Sequence, residues 1–182
     1  MKIHDYIDNS ENRTLQATLM QIIEQENQKV LDIATGFFRI EAWFRLEKSM
    51  QQLESLRLLI GRDPSIRPAE KDHINLLEYF QREIQNQVEH QAFNVEYKNQ
   101  ITRLIEYLEK ESVEVRLFGA LGNKSLFLHA KAYIFDHYSI VGSSNFTPSG
   151  LLGNTELNIV NKIEAIARDL RENWFEKFWP HP

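Results

Sequence analysis

The segment that decides how this chain is interpreted starts at His129-Ala130-Lys131 and continues through Asp136, Gly142-Ser143-Ser144-Asn145 and Glu156. It brings together a candidate nucleophile, a cation, an amide and two carboxylates. The pattern occurs only once, because His129 is the one histidine of six that has a lysine two positions later. The chemistry of this segment and its single occurrence both constrain what the protein can do.

His129 and Lys131 lie in a predicted strand over 126–135, in which alternate side chains point to the same face. They would therefore project together, with Cα atoms roughly 6.5–7 Å apart. An imidazole nitrogen could attack a phosphorus atom while the ammonium holds a non-bridging oxygen. Asp136 is an odd number of positions from both and would face the other way, which favours pairing or capping at the strand end.

The turn after the next predicted strand places Ser143 and Asn145 two residues apart, so their side chains can share a face. The Asn145 amide can donate a hydrogen bond to a phosphoryl oxygen. Glu156 could accept the proton on the far nitrogen of His129, which would leave the other nitrogen able to attack. Each feature alone is ordinary: His-x-Lys is usually a polar strand face, Gly-Ser-Ser-Asn is usually a turn, and Glu156 is usually a surface carboxylate.

Hydrophobic periodicity predicts strands interleaved with helices in the first half of the chain and neighbouring strands in the second. The fold class is therefore α/β (α+β), with one mixed β-sheet flanked by helices. Four helices are predicted, over 14–30, over 40–50, around 101–108 and over 163–179. The third has Ile101, Leu104, Ile105 and Leu108 on one face. The fourth has an apolar stripe of Ile163, Ile166, Leu170, Trp174 and Phe178. The predicted strands cover 30–35, 56–61, 113–118, 126–135, 139–142 and 156–160.

Residues 62–100 are polar, but they carry an apolar seam that begins at Ile74 and ends at Val88, so we expect a helical insertion there. It could serve as a substrate gate or as a decoration. With 182 residues the chain is expected to form a single domain over 1–182. Its abrupt end suggests the N-terminal part of a longer protein.

The composition narrows the class of protein further. The chain has no cysteine, which excludes disulfides and thiolate metal sites. It lacks a signal peptide and any apolar run near the roughly 18 residues of a membrane helix, so a cytoplasmic protein without stable membrane association is expected. The net charge of −5 argues against a surface that grips nucleic acid everywhere, but it leaves room for a local basic cleft.

The joint pattern resembles the signature of the phospholipase D superfamily, H-x-K-x4-D followed by G-S-x-N and a downstream glutamate. The resemblance covers about 113–160, and it implies a phospholipase D-like sandwich. It also implies that His129 forms a phosphohistidine, that Lys131 and Asn145 bind the phosphate, and that Glu156 orients His129. Ser143 would support the same network, and Asp136 would support it without reacting directly.

Members of this family need two such motifs facing each other: one histidine attacks, and the second donates a proton to the leaving oxygen. Because this chain supplies one motif, the resemblance implies a two-fold homodimer whose active site spans the interface. No metal or cofactor is expected, since the lysines supply the electrostatic stabilisation that a divalent ion supplies in other phosphodiesterases.

Short members with one motif resemble bacterial nucleases, and this chain also resembles the domain that precedes superfamily 2 helicase modules. We therefore expect an endonuclease that cleaves phosphodiester bonds in nucleic acid, with DNA favoured over RNA as the substrate, and a helicase domain covalently linked to it. Candidate phosphate-binding cations are Arg39, Arg45, Arg116, Lys124 and Lys131, although the first three could equally be solvated surface charges. Two alternatives remain: a lipid phosphodiesterase, and a catalytically idle module that dimerises or binds DNA.

Overall fold

A seven-stranded mixed β-sheet organises the residues that the computed structural model describes, which are 2–61, 95–118 and 128–179. The strand order across the sheet is β1-β7-β6-β5-β2-β3-β4. The strands are β1 Tyr6–Ile7, β2 Val30–Thr35, β3 Ser55–Ile60, β4 Val113–Leu117, β5 Ala132–Ile134, β6 Ser139–Gly142 and β7 Asn158–Asn161.

The sheet divides into a parallel part and an antiparallel part. Strands β2, β3 and β4 run parallel, and the register pairs Thr35 with Ile60 and Ile60 with Leu117. Strands β5, β6, β7 and β1 each run antiparallel to their neighbours. The parallel strands are joined through helices, and the antiparallel strands β5 and β6 through a short turn, as the two geometries require.

Helices cover both faces of the sheet. Alternate residues of β2 show the two cores: Ile33 packs with the helices α1 Leu15–Glu24, α2 Ile40–Met50 and α3 Val95–Leu108, whereas Ala34 packs under the C-terminal helix. That helix, α4, is built from three successive pieces, Glu164–Asp169, Leu170–Phe175 and Glu176–Phe178. A short π-helical turn, Ser149–Gly153, precedes β7.

The predicted fold class is confirmed, since a mixed sheet is flanked by helices on both faces. Several boundaries were wrong. The helix predicted over 14–30 ends at Glu24, because Asn27 takes a positive φ of 53° that a helix does not accommodate. The two-residue strand β1 was not predicted, because two residues are too few to show a periodicity.

The strand predicted over 126–135 is a strand only over Ala132–Ile134. Residues 128–131 are described as irregular, and 126–127 lie outside the described residues. The predicted strand 156–160 is in fact Asn158–Asn161. The site residues at 129, 131 and 156 therefore sit just outside regular strands, where the backbone leaves the ladder.

The predicted apolar stripe of α4 was right only in part: Leu170, Trp174 and Phe178 pack partly buried against the core beneath the helix. The buried residues of the helix are Ala167 and Phe175, whereas Ile163 and Ile166 are exposed. Arg171 lies midway between the two buried residues and forms ion pairs beneath the helix. Because arginine is a polar residue, the hydropathy pattern did not identify the side of the helix that contains Ala167, Arg171 and Phe175.

The predicted insertion over 62–100 falls largely on residues 62–94, which lie outside the described residues. Residues 95–100 belong to α3, which continues unbroken through the helix predicted around Ile101. Leu104 and Tyr107 are its buried side chains, and the Tyr107 hydroxyl donates to the carbonyl of Met50 at 2.9 Å.

Candidate active site

Three backbone segments meet closely at the strand ends next to the site. A Cβ on Gly61, after β3, would lie 2.7 Å from the carbonyl oxygen of Gly36 and 2.9 Å from that of Leu128. These distances are shorter than any ordinary contact, so only glycine at 61 allows the chain ahead of His129 to lie against the ends of β2 and β3. The packing places His129 at this edge of the sheet.

His129 and Lys131 are brought together, as predicted, although by an irregular backbone rather than a strand. The Lys131 Nζ lies 3.2 Å from Nδ1 and 3.4 Å from Nε2 of His129. It also donates to the carbonyl oxygen of His129 at 2.7 Å. His129 is exposed, whereas Lys131 is only 6% exposed. The ammonium therefore lies within the protein surface, and the imidazole faces solvent.

The environment of Lys131 opposes its charge. Burial lowers the pKa of its ammonium from the ordinary lysine value of 10.5, and the nearby Glu156 carboxylate partly offsets this effect. A desolvated ammonium gains more from an incoming phosphate than a solvated one does, because water no longer screens it. Lys131 is therefore a mostly buried cation that water screens only weakly.

Asn145 is fixed through its side-chain oxygen. That oxygen accepts hydrogen bonds from the backbone N–H of Phe37 at 3.1 Å and from the Thr35 hydroxyl at 3.3 Å. Thr35, the last residue of β2, also accepts from the backbone N–H of Phe146 at 3.0 Å. With the amide oxygen held in this way, the amide NH₂ is the end that can donate to a ligand.

A second polar pair shapes the same turn. Asn158 is fully buried; its side-chain oxygen accepts from the backbone N–H of Ser144 at 3.1 Å, and its NH₂ donates to the Ser144 hydroxyl at 2.8 Å. A Cβ on Gly142 would meet the Leu157 carbonyl at 2.3 Å, so β6 and β7 approach more closely than any other residue there permits. The turn that carries Asn145 is thus held from two directions.

Thr35 and Asn158 were missed by the sequence reasoning, although both position the motif. Neither belongs to a recognisable spacing, because they act across the sheet on a turn that is far away in sequence. The available signal was weak: Thr35 is the polar last residue of β2 and Asn158 the polar first residue of β7, but each strand carries another polar residue, Asp32 or Asn161.

Glu156 and Ser143 contact each other directly. The Ser143 hydroxyl donates to Oε2 of Glu156, and the Asn154 amide donates to Oε1 at 3.3 Å. The Ser143 Oγ also accepts from the backbone N–H of Leu157 at 3.0 Å. Ser143 therefore contacts Glu156, whereas its support of the motif network and the orientation of His129 by Glu156 stay predictions.

Asp136 lies apart from this cluster and forms an ion pair. Arg171 donates from Nη1 to Asp136 at 2.7 Å and from Nε to Asp32 at 2.7 Å. Asp32 is completely buried and also receives two hydrogen bonds from Arg57, at 2.6 and 2.9 Å. The pairing predicted for Asp136 is therefore present, and it ties the end of β5 to α4.

The candidate cations differ in their surroundings. Arg116 pairs with Glu114 at 3.0 Å and lies 4.5 Å from the centre of the Trp179 ring, so it is engaged within the fold. Arg39 and Arg45 are exposed at and near the start of α2, and the backbone N–H of Arg39 donates to the Phe146 carbonyl. Lys124 lies outside the described residues.

The described residues were also considered for metal-binding clusters and for membrane-spanning helices. Within 2–61, 95–118 and 128–179, no three histidine, aspartate or glutamate side chains are grouped so that they could hold a metal ion. None of the helices in the same residues is both long and apolar enough to cross a membrane.

Comparisons with known proteins place this geometry in a family. Residues 19–179 match the family model described as the cardiolipin synthase, PLD-like domain, which is most of the chain. The chain belongs to the phospholipase D superfamily. This agrees with the resemblance that the motif predicted. A search of curated proteins found no match.

Solved structures of the superfamily share the fold. The phospholipase D family member Nuc from Salmonella typhimurium is 14% identical, with a TM-score of 0.57, over 96% of this chain and 91% of that protein. NucT from Helicobacter pylori is 13% identical, with a TM-score of 0.54, over 89% and 85% respectively.

A third structure shows the same fold within a larger protein. Polyphosphate kinase from Porphyromonas gingivalis is 10% identical, with a TM-score of 0.55, over 97% of this chain but only 26% of that protein. All three likenesses concern the fold. Together with the family match, they give this chain the phosphodiesterase fold of the superfamily and leave its substrate to be argued from the site.

Proposed function

We propose that this protein is a metal-independent nuclease that hydrolyses phosphodiester bonds in DNA through a phosphohistidine intermediate on His129. The observation that carries the proposal is the pairing of an exposed imidazole with a buried ammonium whose Nζ is 3.2 Å from the ring. A nucleophile and a phosphate-binding cation are thereby within reach of one phosphate.

The reaction proceeds in two displacements. A ring nitrogen of His129 forms a bond to phosphorus as the bond from phosphorus to the leaving oxygen breaks. His129 of the partner subunit, protonated, gives its proton to that oxygen. Water then attacks the phosphohistidine and passes its proton to the same partner histidine, which restores both groups and releases the second product.

The other motif residues stabilise the charge and the geometry. Lys131 and the Asn145 NH₂ would hold the non-bridging oxygens where negative charge builds up at phosphorus. Glu156, braced by Ser143, would accept a hydrogen bond from a His129 ring N–H and so fix the tautomer. Asp136 contributes indirectly, by fixing β5 to α4.

The second histidine has to come from a second copy. No other histidine of the chain is followed by the lysine of the motif. A two-fold homodimer supplies the missing half with one self-complementary interface. We therefore propose that the active site is shared between two subunits.

The preference for nucleic acid rests on size and on the single motif. Short superfamily members with one motif resemble bacterial nucleases, and this chain spans nearly the whole of Nuc and NucT. The acidic net charge of −5 means that DNA affinity depends on local cations or on a fused helicase module, which we propose as the partner domain.

The test is DNA cleavage in EDTA, with labelled single- and double-stranded substrates. Wild type should cleave, whereas His129→Ala should lose activity by roughly 10⁴-fold or more, as expected for the loss of a nucleophile. His137→Ala is the matched control, since His137 is an exposed histidine paired with Glu164 at 3.2 Å, and it should retain full activity. No cleavage of DNA or RNA by wild type would contradict the proposal, and hydrolysis of phospholipid vesicles instead would establish the lipid alternative.

A further inference from the structure

We propose that an exposed apolar strip on the antiparallel side of the sheet is the surface on which the second copy of this chain docks. The strip consists of Tyr6, Val141, Leu157 and Ile159. The inference rests on the proposed shared active site and names the surface that completes it.

The strand register makes the strip continuous. Ile159 of β7 is paired directly with Tyr6 of β1 on one side and with Val141 of β6 on the other. Directly paired residues have neighbouring side chains on the same face. They are 51%, 41% and 39% exposed respectively, and Leu157, two residues before Ile159, is 60% exposed.

This face is covered elsewhere. The same row of the register continues from Val141 to Ala132 and then to Ala34, and both alanines are buried in the core beneath α4. The helix therefore covers β5 and β2 and leaves the β6, β7 and β1 part of the face open. Two more exposed apolar residues, Ile163 and Ile166, lie where α4 starts and offer a second copy a complementary surface.

The strip reaches the motif residues Ser143 and Glu156, and this position favours a second copy of the chain as its occupant. Leu157 is adjacent to Glu156, and its backbone N–H and carbonyl both pair with Ser143. A second copy seated on the strip would therefore bury residues contiguous with Ser143 and Glu156. A two-fold partner at this position can bring its own His129 and Lys131 to the site that lacks them.

The composition of the strip suits such an interface. Tyrosine and branched aliphatic side chains form the apolar centre of many interfaces, with charged groups at the rim. Arg13 lies 4.4 Å from the centre of the Tyr6 ring at the outer end of the strip. The sheet edge at β1 is short, so docking uses the face rather than strand addition.

The test is the oligomeric state of Ile159→Arg by analytical ultracentrifugation over a range of concentrations. An unpaired charge buried at the interface should raise the dimer dissociation constant by roughly 100-fold or more. The matched control is Ile105→Arg on α3, because Ile105 is also an exposed isoleucine, 43% exposed, on a helix of the other face. It should dimerise as wild type does.

A second variant guards against misfolding. Leu157→Glu changes a residue outside the strand ladder, and circular dichroism with thermal melting should show both variants folded. Folded variants that remain dimeric, or a wild type that is monomeric throughout, would overturn the docking surface. If the variants dissociate while wild type cleaves nothing, the surface stands and the nuclease proposal fails.

Discussion

The charged cluster beneath α4 and the charged cluster at the strand ends are built in opposite ways. Beneath the helix, Asp32 accepts hydrogen bonds from both Arg57 and Arg171. Glu176 accepts a further one from Arg57, and Asp136 a further one from Arg171. The hydrogen bonds that Arg57 donates to Asp32, and then to Glu176, raise its pKa further above its usual range, although burial opposes this rise. At the strand ends, the side chain that buried Lys131 contacts among residues 2–61, 95–118 and 128–179 is the imidazole of His129 rather than a carboxylate, and His129 is exposed to solvent.

This difference indicates that the charges beneath α4 stabilise the fold, whereas the charge at the strand ends is available for the proposed chemistry. A buried cation matched by carboxylates is already neutralised, so it adds to the fixed geometry of the fold and has little attraction left for a ligand. A desolvated cation without a carboxylate in contact keeps that attraction for an incoming anion. We call the cluster beneath α4 the closed cluster and the cluster at the strand ends the open cluster. The closed cluster should therefore govern stability, and the open cluster should govern activity.

Asp32→Ala should break the closed cluster with the largest effect. It removes the carboxylate shared by Arg57 and Arg171, and it should lower the free energy of unfolding by roughly 3 kcal/mol or more. Urea denaturation measures the loss, and kcat/KM of the folded protein should stay near wild type. The control is Asp136→Ala, whose half-exposed ion pair should contribute only about 1 kcal/mol. A large loss of kcat/KM in that variant would place Asp136 in the chemistry instead.

Asn145→Asp tests the cluster at the strand ends, where it should lower activity without lowering stability. The new carboxylate keeps an oxygen for the Phe37 N–H and the Thr35 hydroxyl, but it replaces the NH₂ donor with negative charge. We expect kcat/KM to fall by roughly 10²–10³-fold while stability is retained. Asn145→Ala should lose activity and, in addition, about 1–2 kcal/mol of stability, because the hydrogen bonds that the Asn145 side-chain oxygen accepts are then lost. Equal stability losses in both variants would contradict this division of roles.

The pH dependence of Lys131 gives the smallest effect. Since burial lowers the pKa of its ammonium below 10.5, the charge needed to hold phosphate is lost at a lower pH than in an ordinary lysine. The alkaline fall in kcat/KM should therefore begin below pH 10.5. For stability the sign is the reverse: the cost of burying the charge is present below the lowered pKa and is relieved as pH rises towards 10.5. Lys131→Arg, which stays charged, should lack the part of the alkaline fall that Lys131 causes, and a profile identical to that of wild type would refute the assignment.

Sequence patterns predicted the fold wherever apolar periodicity was strong. The core strands β2 and β3 and the helix α2 stand within one residue of their predicted bounds. The buried side of α4 was predicted only in part, because Arg171 lies on that side and pairs its charge with Asp32, on a strand far away in sequence. Propensity scales treat such an arginine as a surface residue.

The motif residues of the site could be predicted from the sequence, but the residues that position them could not. His129, Lys131, Asn145, Ser143 and Glu156 belong to a motif with a fixed spacing, and their roles in the reaction remain predictions. Thr35 and Asn158 hold the motif turn through contacts across the sheet, which no local spacing encodes. The linked helicase domain and the cytoplasmic location also stay predictions.

The central claim is that one active site uses His129 from two subunits. The most direct test mixes wild type with His129→Ala at constant total concentration, after subunit exchange, and measures DNA cleavage against the wild-type fraction. A shared site predicts that activity falls with the square of that fraction, because only dimers with two wild-type subunits carry both the nucleophile and the acid. Activity directly proportional to the wild-type fraction would contradict the shared site.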